Sequence, residues 1–468
     1  MSAALVWFRR DLRLADNPAW SAACAGHEQV LPVFIHADEG PWSPGAASRW
    51  WLHHSLAALD EDLRKLGGDL HLLRGEPLDV LRELIAQSGA CAVYWNRLYE
   101  PATVARDTRI KSALRDEGID THSHEADLWC EPWQIATQQD QPYKVFTPYW
   151  RNLRPQLQPV EPLPAPTVPG WRQLPDGLPL AALGLLPRID WAGGLHDHWQ
   201  PGEAGAGEML ELFGDDAIGD YAHARDVPAR HGTSRLSPHL HFGEISPRQI
   251  HFELDRRARG TDAKRRPDIE PYLRELGWRE FAHHLLYHFP QTPTENFNSR
   301  FDGFSWADAD PSLLERWQQG RTGIPLVDAG MRELWHTGWM HNRVRMIVGS
   351  FLTKNLRQHW HHGARWFWDT LVDADLANNT LGWQWVAGCG ADAAPYFRVF
   401  NPVTQARKFD PQGIYLRRWL PELADAPLPL LYEPWKDPAL LKRSGYPAPM
   451  VDLAASRLEA LDAYKANR

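Results

Sequence analysis

Four apolar runs alternate with helical patterns over the first 130 residues, and this alternation limits the folds open to the chain more than any other feature. The runs are LVWF (5–8), VLPVFIH (30–36), DLHLLRG (69–75) and CAVYWN (91–96). Helical periodicity occupies residues 46–66, 78–88 and 101–117 between and after them. Apolar strands that alternate with helices predict a parallel, doubly wound α/β sheet, which we place in an N-terminal domain over residues 1–130.

Ten prolines lie between Pro155 and Pro201 and separate this region from the rest of the chain. Prolines at this density cannot sustain a helix or a central strand. We therefore predict a Pro-rich interdomain linker over residues 131–202. Beyond it the periodicity is helical, as over 269–289 and 341–360, which predicts an all-α C-terminal domain over residues 203–468.

The composition is that of an ordinary soluble globular protein, with 43% hydrophobic and 23% charged residues. The exception is tryptophan: there are 24, and half of them follow residue 270. The four cysteines include no C-x-x-C pair, which favours a reducing cytosol over a disulfide scaffold or a zinc ribbon. With neither a signal peptide nor an apolar stretch near the roughly 20 residues that span a bilayer, we expect a cytoplasmic protein.

The net charge of −9 disfavours nucleic acid as a partner, because phosphate contacts need Lys and Arg. However, residues 321–365 contain seven Lys or Arg and only two acidic residues, Asp328 and Glu333. An acidic protein can therefore carry one basic face. Neither a dinucleotide-binding G-x-G-x-x-G after the first strand nor a phosphate-binding G-x-x-x-x-G-K-[ST] is present.

Chemistry-bearing residues concentrate in LVDADLANNTLGWQWVAGCGADAAPY (371–396). Two aspartates, two asparagines and two tryptophans lie close together there. Carboxylates can hold a sugar or a ring N–H, an amide can face a ring nitrogen, and indoles can carry electrons or stack on bases. The pattern is compatible with a ligand or cofactor site, and also with a polar loop between buried helices.

Three further segments combine polar and aromatic residues. GTSRLSPHL (232–240) offers hydroxyls at a turn or helix start, which suit an anion but also cap helices without a ligand. In YLRELGWREF (272–281), Glu275, Trp278 and Arg279 share a helix face, as a ligand site or as a surface ion pair beside a core indole. In 337–351, Asn342, Arg345 and Met346 share a face, while Arg343 points elsewhere.

The 22 histidines include the i,i+4 pair His284 and His288, a spacing that suits a metal. No carboxylate or cysteine completes a ligand set in the sequence. We interpret these histidines as packing and surface residues, and expect no metal.

Over nearly its whole length, from LVWFRRDLRLADNPA (5–19) to NPVTQARKFDPQGIYLRRWLPEL (401–423), the chain resembles the DNA photolyase and cryptochrome family. The resemblance is closest to class I cyclobutane pyrimidine dimer photolyases. It implies the photolyase/cryptochrome fold and light-driven DNA repair, in which photoexcited reduced FAD donates an electron to a flipped-out dimer. The flavin contacts that it implies are Tyr221, Thr233, Ser234, Leu236, Ser237, Tyr272, Arg279, Asn342, Arg345, Asp373, Asp375 and Asn379.

The resemblance also implies contacts to the lesion and to DNA: Arg225, Glu275, Trp278, Asn342, Arg343, Met346, Trp385 and Gln405. Glu275 and Asn342 would stabilise the transient radical anion of the dimer, and Trp278 and Trp385 would pack against it. Asn379 would face flavin N5, and Asp373 and Asp375 would pair with Arg345. Trp383, Trp360 and Trp306 match the electron-transfer chain of the family, from the flavin to the surface.

Three rival functions remain open. A (6-4) photolyase would carry a histidine pair where this chain has Asn342 and Met346. A cryptochrome photoreceptor usually has a C-terminal extension, which we do not expect here, and often a residue other than Asn379 at flavin N5. A flavin oxidoreductase would need a nicotinamide or substrate site.

The resemblance leaves the antenna chromophore open. Photolyases often bind a folate or a deazaflavin near the α/β domain. Ala102 and Thr103 stand where folate-binding relatives have Asn and Glu, which disfavours folate. The expected partner is DNA that contains pyrimidine dimers, the expected oligomeric state is monomeric, and no membrane is expected.

Overall fold

The structure, a computed structural model of the chain, describes residues 2–37, 40–174, 177–262, 266–393 and 397–467. Packing divides the chain into two compact units. Unit 1 comprises Met1–Ala192, His196–Gly219 and Ser234–Pro290, and unit 2 comprises Gly193–Leu195, Asp220–Thr233 and Gln291–Arg468. The units follow packing and not chain order, so the domain limits expected at residues 130 and 202 stay predictions.

Unit 1 contains a five-stranded parallel sheet. Its strands are β1 (Ala3–Phe8), β2 (Gln29–His36), β3 (His71–Arg74), β4 (Ala92–Asn96) and β5 (Asp120–His124), in the order β3-β2-β1-β4-β5. The apolar runs predicted as strands form β1 to β4, which confirms the predicted fold class. The fifth strand, DTHSH, was not predicted because of its five residues only Thr121 is buried.

The helices that begin before residue 290 are α1 (Pro18–Gly26), α2 (Ala46–Lys65), α3 (Pro77–Ser88), α4 (Pro101–Asp116), α5 (Phe146–Leu153), α6 (Gly193–His198), α7 (Glu203–Asp215), α8 (Tyr221–Ala224), α9 (Ser237–His241), α10 (Pro247–Gly260) and α11 (Glu270–His288). Helix α11 packs on α5 because Gly277 leaves room for an indole. A Cβ atom at Gly277 would lie 2.3 Å from the ring of Trp150.

The range 131–202, predicted as a Pro-rich linker, contains helices α5 and α6. The Pro-rich part between these helices is tied to the sheet by backbone hydrogen bonds. The backbone N–H of Val30 donates to the carbonyl of Gly170, and the N–H of Arg172 donates to that of Val30. Further along, the N–H of Leu178 donates to the carbonyl of Leu72. These bonds extend the edge of the sheet with linker backbone.

Unit 2 is helical. Its helices after residue 290 are α12 (Pro311–Gln318), α13 (Pro325–Thr337), α14 (Asn342–Ser350), α15 (Trp360–Thr370), α16 (Leu376–Ala387), α17 (Pro402–Phe409), α18 (Ile414–Trp419), α19 (Leu428–Tyr432), α20 (Pro438–Ser444) and α21 (Leu453–Ala466). Their core is a continuous apolar cluster that includes Trp317, Val348, Trp360 and Trp383.

The helical pattern over 341–360 is divided in the structure. Helix α14 ends at Ser350, one π-helical turn follows over Phe351–Asn355, and α15 begins at Trp360. Arg357 lies in the left-handed region, with φ of 50°, which breaks the helix between them. Among the described residues, no helix is long and apolar enough to cross a membrane.

Candidate functional site

The polar stretch that begins at residue 371 forms a turn followed by α16. Asp375 caps this helix, since its carboxylate accepts from the backbone N–H of Asn378 at 2.8 Å. The cap fixes where α16 begins and therefore where Asn379, Trp383 and Trp385 lie along it. Residues 394–396, at the end of the stretch, lie outside the described residues.

Arg345 and Asp373 form the ion pair that the resemblance implied. The Nη2 atom of Arg345 lies 3.1 and 2.9 Å from the two carboxylate oxygens of Asp373. Its Nε also donates to the carbonyl of Met340 at 2.7 Å, so that the guanidinium is held at two points. The Asp373 carboxylate is only 4% exposed, whereas the Arg345 side chain is 24% exposed, so the pair is partly shielded from water.

Asn379 is oriented by the neighbouring helix. Its Nδ2 donates to the backbone carbonyl of Ala364 at 3.0 Å. This bond turns the Oδ1 atom to the other side of the amide group, as an acceptor. An acceptor there suits a protonated ring nitrogen.

Helix α14 begins at a histidine cap. The Nδ1 of His341 accepts from the backbone N–H of Arg343 at 3.2 Å, and burial lowers the pKa of His341 to about 4. The ring is therefore neutral, with its proton on Nε2. After the cap, Asn342 is exposed and Met346 is half-buried against the core of unit 2.

Arg343 and Arg345 pair with different carboxylates. The guanidinium of Arg343 pairs with Asp226 at 2.5 Å and lies over the ring of Phe409 at 4.6 Å. Phe409 ends α17, the helix that also carries the half-buried Gln405. The cation that the resemblance assigned to a DNA phosphate thus has an internal carboxylate partner.

The segment before Ser234 holds three predicted residues of unit 2. Tyr221 is buried at the start of α8, and the guanidinium of Arg225 lies 5.6 Å from its ring. Thr233 is half-buried. The cation and the aromatic ring are therefore one local cluster.

In unit 1, Tyr272 donates a 2.9 Å hydrogen bond from its hydroxyl to that of Ser234, and both residues are buried. Leu236, two residues after Ser234, is also buried. Ser237, the first residue of α9, is exposed. Burial raises the pKa of Tyr272, so the phenol stays protonated and remains a donor.

Helix α11 holds the other predicted residues of unit 1. Trp278 stacks on Phe146 of α5, with ring centroids 3.7 Å apart and planes 12° from parallel. Arg279 donates to the carbonyl of Asp127 at 2.7 Å and pairs with its carboxylate. Glu275 is half-buried on the same face. One face of the indole thus has a protein partner, and Arg279 is held by an aspartate, so its flavin contact stays a prediction.

The three tryptophans of the expected electron chain all lie in unit 2. Trp383 is buried against α15, where a Cβ at Gly363 would lie 2.0 Å from its ring. Trp360 is buried, with its Nε1 donating to the side chain of Asn296 at 3.0 Å. Trp306 is half-buried at the margin of the same core.

Trp385 lines a small cavity with Lys354 and Phe400. Lys354 is 1% exposed, and its Nζ lies 3.2 Å from the centroid of the Phe397 ring. Burial lowers the pKa of Lys354 well below its ordinary value. Sequence analysis did not identify Lys354, because it lies in an apolar helical pattern.

Two other residues near predicted positions escaped sequence analysis. Glu280 follows Arg279 and is 1% exposed. Its carboxylate accepts from the backbone N–H of Trp129 at 2.9 Å, and burial raises the pKa of Glu280 to about 8. Phe146 lies in the aromatic-rich segment YKVFTPYW (143–150), to which sequence analysis assigned no function. His284 behaves as a packing residue, since its Nε2 accepts from Tyr143 and its Nδ1 lies 3.0 Å from a backbone carbonyl.

The donors and acceptors of unit 2 fit an isoalloxazine ring. Such a ring needs acceptors for its N–H groups and a cation beside its polar edge. The Oδ1 of Asn379 is a directed acceptor, and the Arg345–Asp373 pair presents both charges from a fixed geometry. The residues present are therefore compatible with FAD.

Comparison with known proteins points to the same cofactor. A family model described as DNA photolyase matches residues 4–168, and one described as the FAD binding domain of DNA photolyase matches residues 272–466. The second match covers α11 and nearly all of unit 2 after residue 290. It confirms FAD as the predicted cofactor.

Relatives that match nearly the whole of this chain belong to the same family as these models. A deoxyribodipyrimidine photo-lyase of Agrobacterium fabrum strain C58 is 46% identical over 99% of this chain and 97% of its own length. Cryptochrome-2 of Arabidopsis thaliana is 40% identical over 97% of this chain and 77% of its own length. A crystal structure of a bacterial class III photolyase from Agrobacterium tumefaciens is 45% identical, has a TM-score of 0.95, and is matched over 100% of this chain and 98% of that one. These matches confirm the predicted fold and the predicted enzyme class, and the chain belongs to the DNA photolyase and cryptochrome family.

Proposed function

We propose that the chain is a deoxyribodipyrimidine photolyase that uses light to split cyclobutane pyrimidine dimers in DNA. The observation that carries this proposal is the surface of α14, where Asn342 is exposed and Met346 half-buried. A (6-4) photolyase would be expected to carry histidines there. The 46% identity to a deoxyribodipyrimidine photo-lyase over nearly the whole chain supports the same activity.

Bound FAD in its reduced form supplies an electron on illumination, and this electron opens the cyclobutane ring. In our proposal the Arg345–Asp373 pair and Asp375 hold the polar edge of the ring system, and Asn379 Oδ1 accepts from N5–H. The diphosphate and remaining contacts are assigned to Tyr221, Thr233, Ser234, Leu236, Ser237, Tyr272, Arg279 and Asn342.

For the substrate, we assign Trp278 and Trp385 to stacking on the extruded dimer. Extruding a damaged base costs a few kcal/mol, and stacking on an aromatic ring returns about 1–3 kcal/mol per base. Because indoles do not read base identity, such contacts select the shape of the lesion. Trp278 is already oriented by Phe146 at 3.7 Å, so little freedom is lost when a base stacks on its other face.

We assign polar contacts with the dimer to Glu275 and Asn342, and DNA contacts to Arg225, Arg343 and Gln405. The proposal includes an electron chain of Trp383, Trp360 and Trp306, which restores reduced flavin. All three indoles belong to or border one apolar core in unit 2, which supports this assignment.

The direct test is blue-light illumination of the chemically reduced, FAD-containing protein with three oligonucleotides. One carries a cyclobutane thymine dimer, one a (6-4) photoproduct, and one no lesion. We expect restoration of the first alone. Restoration of the second alone would make the chain a (6-4) photolyase.

Glu275 provides a sharper test within the proposed site. We expect Glu275→Ala to retain FAD but to lower the repair yield, with Glu275→Gln, which keeps a polar group, in between. A yield equal to that of the unchanged protein would remove Glu275 from the mechanism.

A blue-light photoreceptor is the second candidate function, because Cryptochrome-2 of Arabidopsis is 40% identical. Absence of repair with FAD bound and photoreducible would favour it. The subclass is a separate question: the sequence motifs predict class I, whereas the Agrobacterium structure at 45% identity is described as class III and favours that class.

The remaining assignments are the partner, the compartment and the antenna. We propose dimer-containing DNA as the partner of a cytoplasmic, monomeric enzyme. An absorption spectrum of the purified protein tests for a second chromophore, folate or deazaflavin; Ala102 and Thr103 disfavour folate but do not establish deazaflavin.

A further inference from the structure

The ring of His359 contacts both Trp360 and Trp306. The centroid of His359 lies 5.0 Å from that of Trp306, at an interplanar angle of 63°, and 5.7 Å from that of Trp360, at 28°. Within the described part of the chain, His359 is the one ring that contacts both indoles. The imidazole therefore provides a path of contacting rings between the two indoles.

The ring of His359 is held in place by the start of α15. Its Nδ1 accepts from the backbone N–H of His361 at 3.3 Å, so that His359 caps the helix and carries its proton on Nε2. Burial lowers the pKa of His359, which keeps the ring neutral. A neutral ring adds no repulsion to a positive charge on either neighbouring indole.

Trp306 is tied to the same turn by its own segment. The N–H of Ala307 donates to the carbonyl of Arg357 at 2.9 Å. The buried side chain of Gln358 accepts from the N–H of Asp310 at 3.3 Å and donates to the carbonyl of Asp308 at 3.2 Å. Three hydrogen bonds thus fix the Trp306 segment against the residues that precede the histidine cap.

We propose that His359 is a positioning and bridging residue of the electron chain, whose ring couples Trp306 to Trp360 so that one electron crosses between the indoles without oxidation of the imidazole. This inference rests on the proposed role of Trp383, Trp360 and Trp306. In the step, the Trp360 radical cation takes one electron from Trp306, and Trp306 is left as the radical cation. A thiol reductant in solution returns one electron to Trp306 and closes the cycle.

The two roles of His359, cap and ring, can be separated by substitution. His359→Asn keeps a side chain that caps helices well but removes the ring. His359→Phe keeps a ring and removes the cap. Trp306→Phe removes the terminal indole and provides the reference for an interrupted chain.

The experiment is flash photolysis of the FAD-containing protein, with the lifetime of the indole radical as the readout, followed by photoreduction with dithiothreitol. We expect loss of the long-lived radical in His359→Asn, as in Trp306→Phe, and its retention in His359→Phe. Thermal melting and bound FAD verify folding; His359→Asp, which also caps helices, replaces the Asn variant if that variant does not fold.

A long-lived radical of ordinary yield in His359→Asn would overturn the proposal. So would its loss in both the Asn and the Phe variants, since a structural role of the cap would then explain the effect. Repair of dimers by chemically reduced, unsubstituted protein is measured separately. That assay tests the proposed function alone, so its failure cannot be confused with failure of the bridge.

Discussion

Helices α14 and α15 both begin at a histidine cap, but different forces hold the side chains that follow. The Nδ1 of His341 accepts from the backbone two residues on at 3.2 Å, and that of His359 does the same at 3.3 Å. After His341 come arginines paired with aspartates. After His359 come Trp360 and Gly363, which meet other aromatic rings.

The same N-terminal histidine cap therefore precedes a surface of ion pairs in one helix of unit 2 and a surface of packed aromatic rings in the other. The α14 surface is organised by charge, so changes there should alter ligand binding and the stability of ion pairs. The α15 surface is organised by shape, so changes there should alter packing and electron movement.

The largest effect is expected for Asp373→Asn. Arg345 would lose its carboxylate partner, which is 4% exposed, while the guanidinium itself is 24% exposed. Breaking a buried ion pair typically costs 3–5 kcal/mol, and partial exposure reduces this to about 2–3 kcal/mol. Urea denaturation measures the loss, with Asp425→Asn as an exposed control, and bound FAD should fall as well. Equal stability of the two variants would contradict the account of α14.

Gly363→Ala should be the most damaging small change on α15. Its Cβ would lie 2.0 Å from the ring of Trp383, and overpacking of this kind costs about 1–3 kcal/mol. Gly382→Ala is the matched control, because a Cβ there meets nothing within 4 Å and Ala favours a helix by about 0.5–1 kcal/mol. Equal melting temperatures of Gly363→Ala and its control would contradict the close approach of residue 363 to the Trp383 ring.

The His341 cap predicts a pH dependence. Its folded-state pKa is about 4, below the roughly 6.5 of an unfolded chain, so the unfolded chain binds the proton more readily. Its contribution is complete above about pH 6.5 and is lost as pH falls toward 4, by roughly 1 kcal/mol near pH 5.5. His341→Asn should keep the cap and flatten this part of the stability profile, whereas the exposed His223→Asn should not. Identical profiles for all three proteins would refute the buried neutral cap.

Asp226→Asn should have the smallest effect on stability. The Arg343–Asp226 pair is 23% and 35% exposed on its two sides, and such pairs contribute about 0–1 kcal/mol. Urea denaturation of Asp226→Asn and Asp373→Asn in parallel compares the two ion pairs that the arginines of α14 form. A loss as large as that of Asp373→Asn would mean that burial does not distinguish them.

Apolar patterning predicted the elements of the fold with strongly buried faces, and failed where backbone contacts decide. Strands β1 to β4 were evident because both faces of the sheet are covered. Strand β5 is polar and is defined by its ladder with β4. The break before α15 depends on the left-handed Arg357, which periodicity does not register.

The candidate site divides in the same way. The Arg345–Asp373 pairing followed from a family resemblance that assigned both residues to one ligand. Phe146 and Trp278, which stack on each other, are 132 positions apart in the sequence. His359 and Trp306 are 53 positions apart, and their contact depends on the turn before α15. No local sequence pattern could reveal either contact.

Whether the chain splits cyclobutane dimers is measured by counting intact thymine dimers in a duplex before and after a train of blue flashes on the chemically reduced holoprotein. We expect dimers to disappear in proportion to the number of flashes, thymines to replace them, and nothing to change in darkness. Dimers that persist under illumination, with FAD bound and reduced, would contradict this expectation.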